Sequence, residues 1–85
     1  MTSDELDPSR WGRELEGRYA NYFTVGHNPV EFVFDFGQFF PEGETPYWHT
    51  RIITSPTYAS RLSRMMLESL AQYEQQYGRI RGEEP

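Results

Sequence analysis

The chain has 85 residues, no cysteine and a formal net charge of −5. One small domain of this size has a thin core and needs a further source of stability. Disulfides and thiolate metal sites are excluded, a structural zinc on two unrelated histidines is disfavoured, and the acidic balance disfavours phosphate backbones and anionic lipid. With no apolar run near the length of a spanning helix, the expectation is a cytoplasmic protein with no cofactor, no nucleic-acid partner and no membrane partner.

Residues 1–18, MTSDELDPSRWGRELEGR, are charged and interrupted by Pro8, Gly12 and Gly17. They read as a polar, flexible extension, with Trp11 as the candidate docking residue. The domain proper is expected over 19–78, and 79–85 reads as a C-terminal tail.

From Tyr19 to His27 the residues alternate as in a strand, with Phe23 and Val25 on one side and Tyr22 and Thr24 on the other. GHNP at 26–29 is turn-forming, and the stretch VEFVFDFGQFF at 30–40 follows directly, so a hairpin is expected. With Asn28 and Pro29 at the tip, Phe23 and Val25 share a face with Phe32, Phe34 and Phe36. Tyr22, Thr24, Val33 and Asp35 then occupy the other. Proline is poorly suited to the second position of a tight primed turn, so a wider loop is open. PEGETP at 41–46 marks a second loop, and YWHTRIIT at 47–54 a third strand.

After Thr54 the period changes. Ser55 is a preferred N-cap type, Pro56 suits the first helical position, and Gly78 supplies the stop. At about 100° per residue, Tyr58, Ala59, Leu62, Met65, Met66, Leu70, Tyr73 and Tyr77 form one wide stripe. The fold class expected is α+β, a three-stranded antiparallel meander followed by one long amphipathic helix (βββα). One sheet face is expected to pack on the helix stripe as core. Tyr22, Val33 and Phe39 on the second face, and Leu67 outside the stripe, remain uncovered, which points to a dimer or larger homo-oligomer.

Asp35, between Phe34 and Phe36, needs a donor, and Tyr22, Arg51 or a backbone N–H of another subunit are the choices. A structural carboxylate, locked into an interface or exposed at the end of a sheet, is expected ahead of a general base or ligand carboxylate. His27 sits beside a turn and His49 near the start of the third strand, so no acid–base set is assigned and no catalytic residue is named. Arg51, Arg61 and Arg64 near the helix N-terminus, with His49, form a weaker candidate anion or ligand site. No phosphate-type glycine loop accompanies them. Solvated arginines, with Arg64 paired to Glu68, are the plainer reading.

YANYFTVGHNPVEFVFDFGQ, and HTRIITSPTYASRL with the helix running to QYEQQYG, resemble a family of short bacterial and archaeal proteins catalogued only as a domain of unknown function. The resemblance implies a βββα unit and carries no catalytic residues. The functional expectation is a non-enzymatic homo-oligomeric domain that mediates protein–protein interaction. The alternatives are a small-ligand binder or minor enzyme with a subunit-interface pocket around Asp35, His49 and Arg51, and a chaperone-like binder of apolar segments.

Overall fold

The computed structural model describes residues 15–42 and 45–82. Trp11 and most of the N-terminal segment lie outside them. Strand β1 spans Tyr22–His27, β2 Phe32–Gln38 and β3 Tyr47–Thr54, and helix α1 runs Pro56–Tyr77. The strands form one antiparallel sheet in the order β1-β2-β3. The chain divides into two compact units, one comprising Gly17–Arg61 and the other containing the residues from Leu62 onward.

The hairpin register follows from the alternation: Phe23 stands opposite Phe36, Thr24 opposite Asp35 and Val25 opposite Phe34. Residues directly opposite one another share a face. The two faces are therefore those expected from the sequence, and Phe23 meets Phe36 edge-on at 5.7 Å between ring centroids. The loop is the wider alternative. The Asn28 side-chain oxygen accepts from the amides of Val30 (2.9 Å) and Glu31 (2.8 Å), while the Asn28 amide donates to the Glu31 carbonyl at 3.0 Å. An Asx turn thus carries the chain past Pro29, which has no N–H to offer.

β1 begins at Tyr22, three residues later than the alternation alone suggests. The side chain of Asn21 takes over from the ladder there. Its carboxamide accepts from the Phe39 amide at 2.8 Å and donates to the Phe39 carbonyl at 3.3 Å, while its backbone amide donates to the Gly37 carbonyl at 3.0 Å. A side-chain amide thereby substitutes for one more strand residue and places Phe39 beside Tyr22.

The pairing of β2 with β3 runs from Phe32 opposite Thr54 to Phe36 opposite Thr50, then shifts so that Gly37 faces Trp48. His49 is the extra residue of this bulge. At Gly37 a Cβ would come within 2.6 Å of the Tyr47 carbonyl oxygen and 3.0 Å of the Trp48 ring. The missing side chain is what lets the indole lie across the strand.

Helix α1 starts as its sequence dictates. The Ser55 hydroxyl accepts from the Tyr58 amide at 3.2 Å, and the Ser55 carbonyl takes the first helical bond from Ala59 at 2.9 Å. Gly78 ends the helix at φ 92°, its amide donating to the Glu74 carbonyl at 2.9 Å. Replacing Ser55 with alanine is expected to cost about 1 kcal/mol, and with glycine only a few tenths. Denaturant unfolding at fixed protein concentration measures both. Equal stability of parent and alanine variant would show that the cap bond contributes nothing.

The large side chains of the helix stripe are exposed to differing degrees. Met65, Met66 and Tyr77 all remain more than half exposed, and Leu70, the best covered of the stripe's large residues, keeps 37% of its surface open. Among the described residues the one buried hydrophobic side chain is Ala59, at 9%.

Candidate functional site

The second sheet face carries the most organised group of side chains. Tyr22 from β1 lies 5.1 Å from the Trp48 ring and 5.9 Å from Phe39. The three rings are held there by separate local devices. The ladder places Tyr22 opposite Gly37, the glycine admits Trp48, and the Asn21 carboxamide fixes the backbone of Phe39. Val33 opposite Ile53, and Asp35 opposite Arg51, continue the same face along the sheet.

Asp35 takes Arg51 as its partner out of the donors considered. The guanidinium forks onto the carboxylate, with Nε at 2.7 Å from Oδ1 and Nη2 at 2.8 Å from Oδ2. A bidentate fork is the strongest common form of this contact, and directly opposed strand positions provide it without backbone adjustment. The Asp35 side chain is 22% exposed and that of Arg51 66%. The pair is therefore satisfied within one chain and lies at the water boundary of an otherwise apolar face. Tyr22 contributes its ring to the aromatic group.

The Arg51 hydrogen bonds hold the Asp35 carboxyl below its ordinary value of 3.8; loss of solvent opposes this, and the nearby positive charge adds to it. The same hydrogen bonds and charge push the Arg51 guanidinium pKa up. For a carboxyl depressed in the folded state, the stabilisation is complete above the unfolded value and disappears as pH falls through the folded one. The stability advantage of the parent over Asp35→Asn is accordingly expected to hold from neutrality down to about pH 4 and to shrink at lower pH, followed by urea midpoints across the series. A constant difference down to about pH 2 would mean that the fork does not contribute to folding.

His49 lies apart from this pair. As the extra residue of the bulge it sits beside Thr50, which belongs to the opposite face because it pairs with Phe36. Its Nδ1 is 2.7 Å from the Thr50 hydroxyl and its Nε2 is 3.0 Å from the Tyr19 carbonyl. A carbonyl only accepts, so Nε2 carries the proton and the Thr50 hydroxyl donates to Nδ1. The ring joins the segment preceding β1 to β3, reinforced by Arg18, whose guanidinium donates to the His49 carbonyl at 3.4 Å. Asp35 and Arg51 are thus together while His49 is not. His27 stacks on Phe32 at 5.3 Å.

The arginines of the candidate anion site have contacts of their own. Arg51 is committed to Asp35, Arg61 lies over the Tyr58 ring at 5.7 Å, and Arg64 stands three residues further along the helix. Among the described residues no cluster of three or more metal-ligating side chains occurs, and no helix is long and apolar enough to cross a membrane. Leu67 is 66% exposed on α1. A shallow apolar groove on the helix is lined by Met66, Ser69, Leu70, Tyr73 and Ile80. Ile80, read from sequence as part of a tail, lines it because the turn at Gly78 brings the chain back along the last helical turns.

Gly37 and Asn21 differ in how far the sequence signals their roles. A lone glycine inside a run of aromatics is a recognisable sign of a bulge or a close approach. Asn21 gave no such sign, because its partners are the main-chain groups of a residue eighteen positions away.

These elements define an α+β domain, a three-stranded antiparallel meander followed by a single C-terminal helix, with an aromatic and ion-paired sheet face. The chain belongs to the family described as Protein of unknown function (DUF3467), whose model matches residues 3–82. The match begins well before Tyr19 and takes in most of the segment read as an extension. No curated protein and no solved structure matches the chain.

Proposed function

We propose that this protein is a non-enzymatic interaction domain that works as a homo-oligomer, a dimer at the least, and binds another protein through its assembled surface. The carrying observation is the uncovered apolar surface: both sheet faces and the helix stripe are open in one chain, and Ala59 is the one buried hydrophobic side chain among the described residues. An aromatic side chain removes about 150–250 Å² from water when fully buried. Tyr22, Phe23, Phe39, Trp48, Tyr58 and Tyr73 each keep 40–60% of their surface exposed. Together they offer roughly 600 Å² per chain before any aliphatic group is counted, close to the ~800 Å² per partner of a standard interface.

The face bearing Tyr22, Trp48, Phe39 and the Arg51–Asp35 fork suits a protein partner, since tyrosine, tryptophan and arginine are the side chains that dominate interface energetics. The small-ligand or enzymatic alternative is less well supported. Asp35 and Arg51 neutralise one another, and the imidazole of His49 is occupied on both nitrogens.

Light scattering coupled to size exclusion tests the assembly. At micromolar concentration the expected mass is at least twice the 10.1 kDa of one chain. A stable monomer with no tendency to associate overturns the proposal. An assembly that still binds unfolded client chains through open apolar surface would favour the chaperone-like reading instead.

A further inference from the structure

The sheet has two edge strands, β1 and β3, and they differ in how they are protected. β3 is interrupted by the bulge at His49 and carries the exposed side chain of Arg51, while the Arg18 guanidinium donates to the His49 carbonyl at 3.4 Å. A bulge, a charged side chain and a covering segment each keep a sheet edge from pairing with another molecule. β1 has none of them. Its residues, Tyr22–His27, include no proline and no acidic or basic side chain other than the histidine, run against β2 without a bulge, and are all exposed.

The register decides which backbone groups face outward. The Asn28 amide donates to the Glu31 carbonyl at 3.0 Å, which directs its main chain toward β2. That direction alternates along an antiparallel strand, so Thr24 and Gly26 also face β2, and Phe23, Val25 and His27 present their N–H and C=O groups to the open side. This set is symmetric about Val25. A second β1 running antiparallel, with a twofold axis at Val25, sets Val25 opposite its own copy and Phe23 opposite His27, and every outward donor then meets an outward acceptor. Phe23 and Val25 of both copies fall on one face in this register, so the apolar rows of the two sheets join.

Charge and closure select the occupant. The chain carries −5 overall, yet residues 19–30 contain no Asp, Glu, Lys or Arg, the longest such run in the sequence. Two molecules of equal charge meet with least repulsion where neither brings charge, and β1 lies wholly inside this run. Pairing β3 with β3 would instead meet the bulge and the Arg51 charge of both copies. Pairing β1 with β3 is head-to-tail and leaves a free edge at each end. Only β1 on β1 closes.

Resting on the oligomeric reading above, we infer that β1 is a contact between copies of this chain, two β1 strands pairing antiparallel about Val25 to join their sheets into one. The contact is independent of the helix stripe, most of which belongs to the other compact unit.

Amide hydrogen exchange read at single residues of the full chain tests the pairing, with samples above and below the association midpoint found by light scattering. Thr24 and Gly26, bonded to β2, exchange slowly in both. The amides of Phe23, Val25 and His27 are expected to exchange freely in the dilute sample and to slow to the rate of the ladder amides in the concentrated one. Val25→Pro removes an outward N–H that the chain's own ladder does not use. It is expected to weaken association and to leave Phe23 and His27 exchanging freely at both concentrations. Should that variant fail to fold, the exchange pattern of the parent still decides. Free exchange at all three positions in a protein that scatters as a dimer, or slowing retained in a folded Val25→Pro, overturns this inference and leaves the oligomeric reading standing. A stable monomer overturns both. Slowing that appears only when a different protein is added assigns the edge to that partner and overturns the inference as well.

Discussion

Gly37→Ala is expected to destabilise the domain by about 1–3 kcal/mol, and Gly37→Val by more. The added carbon has no free space: the nearest atom is the Tyr47 carbonyl oxygen at 2.6 Å, with the Trp48 ring and Cα at 3.0 and 3.2 Å. A flexible side-chain end could swing aside, but a backbone oxygen moves only with its strand. Relief therefore means spreading β2 from β3 at the bulge or expelling the indole, which also loses the Tyr22 contact at 5.1 Å. In a small domain with total stability near the low end of about 5–15 kcal/mol, this is a large fraction. Urea unfolding gives the cost. Emission of Trp48 in a Trp11→Phe background reports the displaced ring, since these are the two tryptophans of the chain. Parent-like stability and an unchanged spectrum in Gly37→Ala would show that the ladder yields here without penalty.

The second large effect is expected on assembly, from Leu70→Glu. Leu70 is the most covered large residue of the helix stripe, 37% exposed, and it lines the groove with Met66, Tyr73 and Ile80. Fully burying a leucine is worth about 1.5–3 kcal/mol. A symmetric contact uses it twice, so the self-association constant should fall by roughly two to four orders of magnitude. Light scattering across a dilution series should then find the monomer where the parent is associated, with far-ultraviolet circular dichroism confirming that the helix survives. Gln75→Glu, on the opposite side of the helix, adds the same charge and should leave the mass unchanged. If Leu70→Glu associates as tightly as the parent, the stripe is not an interface.

Much of the fold is determined locally. The alternation around Phe23 and Val25 and around Phe32, Phe34 and Phe36 decides which residues share a face, because side chains on a strand point to opposite sides in turn. Ser55, Pro56 and Gly78 set both ends of the helix, because capping depends on a few adjacent backbone groups. Those boundaries, the third strand and membership of the family were all legible in the residues themselves. The sequence also showed that Asp35 must find a donor, since an unpaired carboxylate in an apolar strand is costly.

Only the tertiary structure decided the rest. Arg51 became the partner of Asp35 because the β2–β3 register sets them directly opposite, and that register depends on where the bulge falls. His49 was separated from Asp35 by the same shift of one residue, since a one-residue change moves a side chain to the other face of a sheet. Gly37, Trp48 and Asn21 acquired their roles through contacts with residues distant in the chain, which periodicity does not encode. The helix stripe shows the limit most clearly: its amphipathic spacing calls for a covering surface without saying which one, and the large stripe residues from Tyr58 to Tyr77 are 37–63% exposed.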